Sequence, residues 1–193
     1  MPSEDVDHVP KAPSEPMNIP DFAMRAATPA DAPTLSALSI QVFLDTYATE
    51  GVRPDLAIEA FETYSAAAFA KRLAEPHRAF ILAETGTGLV GYAETILASL
   101  PAPAGELTGA ELVRLYVQPA AQRKGVGRAL LARMEQAVIG KGIGAAWLTA
   151  WEGNFNARAF YSRLGYADIG ATTYTFQGND YPNRVIAKRL AGD

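Results

Sequence analysis

At 193 residues with a net charge of −4 and 49% hydrophobic residues, the chain suits one domain with a real core. It has no 18-residue apolar run and its basic residues are scattered, which argues against a membrane span and against nucleic acid as a partner. Cysteine is absent and histidine occurs only at His8 and His77. A disulfide framework and a cysteine acyl-enzyme are therefore excluded, and neither a Ser-His-Asp site nor a histidine-rich metal site is expected.

Residues 1–20 carry Pro2, Pro10, Pro13, Pro16 and Pro20 among acidic and polar residues. They predict a disordered tail ahead of a single domain at 21–193. With neither a basic start nor an apolar h-region, the tail does not read as a signal peptide, and a cytoplasmic protein is expected. Phe22 to Ala27 predicts a first strand, after which Asp31 caps a helix running to about Tyr47. A second helical region covers 54–74 with a break near Thr63 to Ser65. Phe80 to Glu84 and Leu89 to Ala98 predict two strands around the Thr85-Gly86-Thr87-Gly88 turn. Residues 99–110 read as a flexible loop.

Residues 111–117 are rich in apolar and β-branched side chains, with Val113, Leu115 and Val117 expected on one face. Pro119 ends that strand. Val126, Leu130, Met134 and Val138 then recur every four residues as one buried helix face, with Gly140 as the expected stop. Ala145 to Ala150 predicts another strand, and Asn156 to Leu164 a helix stopped by Gly165. Two last strands are expected near 166–176 and 185–190, joined by 177–183.

The start of the helix at Val126 is chemically odd. Arg123, Lys124 and Arg128 crowd an end whose own dipole is positive, a mismatch of roughly 0.3–1 kcal/mol per charge. Gly125 and Gly127 leave the backbone amides bare. A bound pyrophosphate resolves both observations, since amides and cations then surround an anion. A solvated basic helix start is the plainer reading. A Rossmann loop is disfavoured because Leu130 stands where a third glycine is expected, and no Gly-Lys-Ser/Thr follows for a Walker loop.

The loop Gln122-Arg123-Lys124-Gly125-Val126-Gly127, between strand and amphipathic helix, resembles the Gln/Arg-x-x-Gly-x-Gly/Ala signature of the GCN5-related N-acetyltransferase (GNAT) superfamily. A second stretch, Asn154, Ala157 and Tyr161 followed by Gly165-Tyr166, resembles that family's Asn-x-x-Ala-x-x-x-Tyr motif. The likeness covers about residues 22–190. It implies an α/β fold of the acyl-CoA N-acyltransferase type: a central mixed, mostly antiparallel sheet with helices on both faces. It also implies acetyl-CoA (coenzyme A) as cofactor and direct attack of a small-molecule or peptide amine on the thioester.

By that resemblance, Gln122, Arg123, Lys124, Gly125, Val126, Gly127 and Arg128 hold the pyrophosphate. The backbone at Leu115, Tyr116 and Val117 pairs with the pantetheine arm, beside a β-bulge that splays the strand from its neighbour. Asn154 and Ala157 lie at the coenzyme or substrate, and Tyr161 is the general acid for the leaving thiolate, a role that suits a phenol with pKa about 10. A plain amphipathic helix also explains Ala157, Phe160, Tyr161 and Leu164, and Asn154 is equally suited to capping. Glu111, 11 residues before Gln122, occupies the place of the strand glutamate that serves as base in histone-modifying members; Glu94 and Glu152 are rivals. A non-catalytic acyl-CoA-binding module of the same fold is the alternative. For the acceptor, Phe43, Asp45, Tyr47, Glu59, Glu62 and Tyr64 mix aromatic and acidic groups, loosely like the bacterial diamine and polyamine acetyltransferases. Family members are often homodimers.

Overall fold

The computed structural model describes residues 22–190; the expected tail lies outside them. The elements run β1 (Ala23–Ala26), α1 (Ala32–Tyr47), α2 (Pro54–Thr63), α3 (Ala66–Leu73), β2 (Arg78–Thr85), β3 (Gly88–Pro101) and β4 (Thr108–Val117). Then follow α4 (Val126–Gly140), β5 (Ala145–Trp151), α5 (Phe155–Arg163), β6 (Ala167–Phe176) and β7 (Asn179–Arg189). One seven-stranded sheet has the order β1-β2-β3-β4-β5-β7-β6, antiparallel except between β4 and β5. Its two faces carry separate cores. Leu130, Leu131, Met134 and Val138 of α4 join Tyr161 of α5 on one face. Leu35, Val42, Phe43, Leu56 and Phe69 of α1–α3 cover the other.

Helix punctuation follows the sequence with two shifts. Asp31 works backwards: its Oδ2 accepts from Thr28 N at 2.7 Å and Thr28 Oγ1 at 2.9 Å, while α1 receives no side-chain cap. The Arg25 guanidinium clamps Asp31 at 2.7 and 2.8 Å and holds its carboxyl well below the usual range. α4 ends at Gly140 as expected, but the left-handed residue that closes it is Gly142 (φ 72°). Gly142 N donates to Ile139 O and Ile143 N to Val138 O, the paired bonds of a Schellman close that needs a left-handed residue.

Two expected loops are shorter than read, with strand extending into both. β3 runs to Pro101 and β4 begins at Thr108, so residues 102–107 alone make the connection, closed by Ala102 N to Leu107 O at 2.9 Å. Gly109 marks close backbone approach rather than a loop, since a Cβ there would lie 2.5 Å from Ala145 O. Between β6 and β7 only Gln177 and Gly178 turn, both at positive φ (47° and 75°). Pro182 fits inside β7 because the pairing with β5 ends at Asn183.

The feature that shapes the site is a bulge. Glu94 pairs with Arg114 but Thr95 with Leu112, leaving Val113 as an extra residue in β4. Ala110 and Leu112 before it, and Leu115 and Val117 after it, therefore face the α4 core. Without the bulge, Leu112 and Leu115 would point to opposite faces. Val113 belongs to neither core cluster, so the expected Val113, Leu115, Val117 face holds only for its last two members.

Candidate active site

β4 and β5 pair only at Ala110↔Ala146 and Glu111↔Trp147. Beyond Glu111 they diverge, and the flank of β4 from Leu112 to Val117 has no partner strand on that side. Backbone donors and acceptors along such a flank are available to an extended ligand. The expected splay is present, and the bulge at Val113 sits at its start.

The α4 N-terminus stands beyond the end of that flank. Arg123 (φ 61°) and the N-cap Gly125 (φ 86°) bend the loop through the left-handed region. The first intrahelical bond is Ala129 N to Gly125 O at 3.0 Å. The amides of Val126, Gly127 and Arg128 precede it, and no side chain caps them. Arg123, Lys124 and Arg128 are exposed around this end. The Gln122 side chain is occupied in holding the loop, donating from Nε2 to Val117 O at 3.2 Å; it shapes the cradle instead of reaching into it. A Cβ on Gly127 would rest 3.6 Å from Phe160, an ordinary contact, and one on Gly125 would meet nothing within 4 Å. Gly125→Ala is nevertheless expected to cost about 1–2 kcal/mol, because only glycine adopts its φ without strain. Melts should show that loss together with weaker acetyl-CoA binding by calorimetry, while Gly127→Ala changes both little.

From the other side of the gap comes α5. Asn154 is its N-cap, with Oδ1 accepting from Ala157 N at 3.1 Å, so the capping reading of this residue has a structural basis. Tyr161 is buried, its ring 5.2 Å from Phe160 and 5.7 Å from Tyr166. Burial, with Tyr47 nearby, pushes its pKa up. Its hydroxyl bonds to no described residue and is not sealed in the core; the phenol that is sealed without a partner is that of Tyr166.

An aromatic wall lies on the α1–α2 side. Phe43 stacks 5.1 Å from both Tyr47 and Tyr64, Tyr47 lies 6.0 Å from Trp151, and the Tyr64 and Tyr116 hydroxyls meet at 2.9 Å. The β6–β7 hairpin closes over it. Tyr181 donates to Asp55 Oδ2 at 2.8 Å and accepts from Arg53 at 2.9 Å, and Tyr174 donates to Glu59 Oε1 at 3.4 Å. Of the six expected acceptor residues, Phe43, Tyr47, Glu59 and Tyr64 belong to this wall, while Asp45 and Glu62 are exposed. Trp151, Tyr174, Tyr181 and the side chain of Tyr116 were not marked by the sequence, which carries no local signal for contacts between residues 52 to 126 positions apart.

The three candidate bases separate clearly. Glu94 is fully buried, with Arg78 Nη1 on Oε1 and Arg114 Nη1 on Oε2, both at 2.7 Å, and Arg72 Nε at 3.6 Å. Both oxygens are engaged, so it is a structural anion and not a base. Glu152 is exposed. Glu111 is half-buried at the last β4–β5 pair, and burial raises its pKa.

Comparison with known proteins agrees with this geometry. The model of the acetyltransferase (GNAT) domain matches residues 43–179. An uncharacterised N-acetyltransferase of Lactobacillus delbrueckii subsp. lactis is 25% identical over 159 residues, covering 82% of this chain and 91% of that protein. The N-alpha-acetyltransferase RimI of Mycobacterium tuberculosis is 29% identical over 145 residues, 75% of this chain and 78% of its own. In fold, the chain is similar to the PaiA N-acetyltransferase of Thermoplasma acidophilum, solved with coenzyme A, at a TM-score of 0.69 and 22% identity over 88% of this chain and 99% of that one. With a family model covering most of its described length, the chain belongs to the GNAT family of acetyl-CoA-dependent N-acetyltransferases.

Proposed function

We propose that the chain moves an acetyl group from acetyl-CoA directly to a primary amine of a small molecule or peptide, with Tyr161 as general acid and Glu111 as general base. The observation that carries this reading is Tyr161, its ring buried and its hydroxyl neither sealed in the core nor bonded to a described residue, on the helix that follows the strand bounding the β4–β5 gap. The described residues fit acetyl-CoA: amides at 126–128 lack intrahelical acceptors, and the β4 flank lacks a strand partner. When bound, acetyl-CoA supplies an activated thioester carbonyl. Gly125 to Arg128, with Arg123 and Lys124, hold the pyrophosphate, while the backbone at Leu115, Tyr116 and Val117 orients the pantetheine arm. Tyr161 gives its proton to the departing sulfur. Glu111 takes the proton that the acceptor ammonium must lose before its nitrogen has a lone pair. A binding-only module has no use for a phenol hydroxyl left accessible and unbonded beside the core, which favours the enzyme.

Free-thiol release from acetyl-CoA, measured with a pool of amines, tests the reading; the protein has no cysteine and adds no background. Release that depends on one amine is expected. Tight acetyl-CoA binding without release for any amine would favour the module instead.

The base role has its own signature. Because burial raises the Glu111 pKa, the acid limb of kcat/KM should lie above the ordinary carboxylate range and vanish in Glu111→Gln, with activity down at least tenfold. The raised folded-state pKa also means that ionised Glu111 costs stability above its unfolded pKa. Glu111→Gln should therefore melt at or above the wild-type temperature near neutral pH. A lower melting temperature would mark Glu111 as structural.

A further inference from the structure

Three carboxylates are buried among the described residues: Asp31, Glu94 and Glu59. Asp31 is clamped by Arg25 and Glu94 by three arginines. Glu59, 5% exposed on α2, has no ion pair among the described residues. Its single hydrogen bond is the long one from Tyr174, at 3.4 Å. A buried carboxylate with so little compensation is unusual, because burial without a counter-charge costs several kcal/mol. The cations in the neighbourhood are committed elsewhere. Arg53 is bound to Asp55 and Tyr181, and Arg114 is bound to Glu94 with its guanidinium 5.1 Å above the Tyr64 ring.

The surroundings of Glu59 are those of the acceptor side of the gap. Its partner Tyr174 lies on the hairpin that closes over the aromatic wall, and that wall runs from Tyr64 through Phe43 and Tyr47 to Trp151, on the strand bounding the gap, in ring contacts of 5.1 and 6.0 Å. A carboxylate set among tyrosine rings is a setting that receives an ammonium group and packs the methylenes beside it.

We infer that Glu59 is a specificity-determining residue that pairs with a second ammonium of the acceptor, so that diamines are the preferred substrate class. This rests on the acetyl-transfer reading above. The paired group is not the reacting nitrogen. A carboxylate held against that nitrogen would favour its protonated form and remove the lone pair that attacks the thioester. Glu59 therefore anchors the far end of the acceptor, and the near end meets Glu111 and Tyr161.

The test compares α,ω-diamines of three to six carbons with the matching monoamines, on the wild type and on Glu59→Gln. For the best diamine, the wild-type KM should be at least tenfold below that of its monoamine. Glu59→Gln should raise the diamine KM at least tenfold more than the monoamine KM, leaving kcat for diamine within threefold. A variant that lowers kcat alike for every amine with KM unmoved would overturn the anchor, as would an unchanged diamine-to-monoamine ratio. Diamine titrated calorimetrically onto the coenzyme-A-loaded protein gives a readout that needs no turnover. If no amine is acetylated but diamine binding still weakens tenfold in Glu59→Gln, the anchor stands and the transfer reading falls. Equal binding by both proteins overturns the anchor. Should Glu59→Gln fail to fold, the wild-type ratio decides, and a preference below threefold rejects the inference.

Discussion

Tyr161→Phe should lower kcat roughly 100- to 1,000-fold, the range expected for losing a positioned general acid, while acetyl-CoA affinity and melting temperature hold. The substitution keeps the ring and its contacts with Phe160 and Tyr166. It removes a hydroxyl that bonds to no described residue and so breaks no protein hydrogen bond. Stability should change little, since the hydroxyl is not sealed in the core and has no described partner to lose. A purely structural tyrosine would give the reverse pattern, a lower melting temperature with kcat little changed. The pH profile adds a check. Burial raises the Tyr161 pKa, so the acid stays protonated through the range where an ordinary phenol titrates, and the alkaline limb of kcat should not fall near pH 10. The same raised value means its stability contribution is complete below the unfolded phenol's pKa and is lost as pH climbs through the folded one. Normal turnover by the Phe variant would remove Tyr161 from the mechanism.

What the sequence made legible is what local physics controls. The break between α2 and α3 lies where a serine can cap, and Ser65 Oγ accepts from Ala68 N at 3.1 Å. The uncapped, left-handed start of α4 was readable because glycines and cations crowd that stretch of sequence. The bulge at Val113 was expected by resemblance but could not be placed, since register depends on which residues β3 offers opposite. The same ignorance put Val113 on the wrong face. Glu94 was mistaken for a candidate base because its ligands, Arg72, Arg78 and Arg114, come from three separate elements. Likewise, the glycines and prolines at 99–110 and 177–183 read as loops, although several of them serve close strand packing or the end of a ladder.

The acceptor side shows why fold and chemistry were unequally readable. Phe43, Tyr47 and Tyr64 were noticed as an aromatic–acidic mixture, yet what makes them a wall is Trp151 from β5, Tyr116 from β4 and the β6–β7 hairpin latched to α2 through Tyr181. The coenzyme end proposed above is legible from a motif because one loop would supply it. The acceptor end is assembled from five elements, so no short stretch of sequence describes it.

Glu94→Gln should be the most destabilising single change of similar size, at about 3–5 kcal/mol. Gln has nearly the same volume, so no cavity term enters; the loss is electrostatic. Arg78 and Arg114 would each lose a charged acceptor now at 2.7 Å, and Arg72 its nearest anion. Arg72 has little else, since Nη1 donates to Thr63 O while Nε and Nη2 are sealed without hydrogen-bond partners, and burial already lowers its pKa. For a domain of this size the loss corresponds to roughly 10 °C in melting temperature. Thermal and urea unfolding measure it directly. Adding Arg114→Met should recover only part of the loss, because Arg72 and Arg78 stay uncompensated. The consequence reaches the active site, for Glu94 pairs with Arg114 directly beside the bulged Val113. If that ion pair holds the bulge open, the folded fraction of Glu94→Gln will bind acetyl-CoA more weakly than wild type in calorimetry below its melting transition. Unaltered affinity with reduced stability would separate the two, leaving Glu94 as a buried counter-ion whose work ends with the fold.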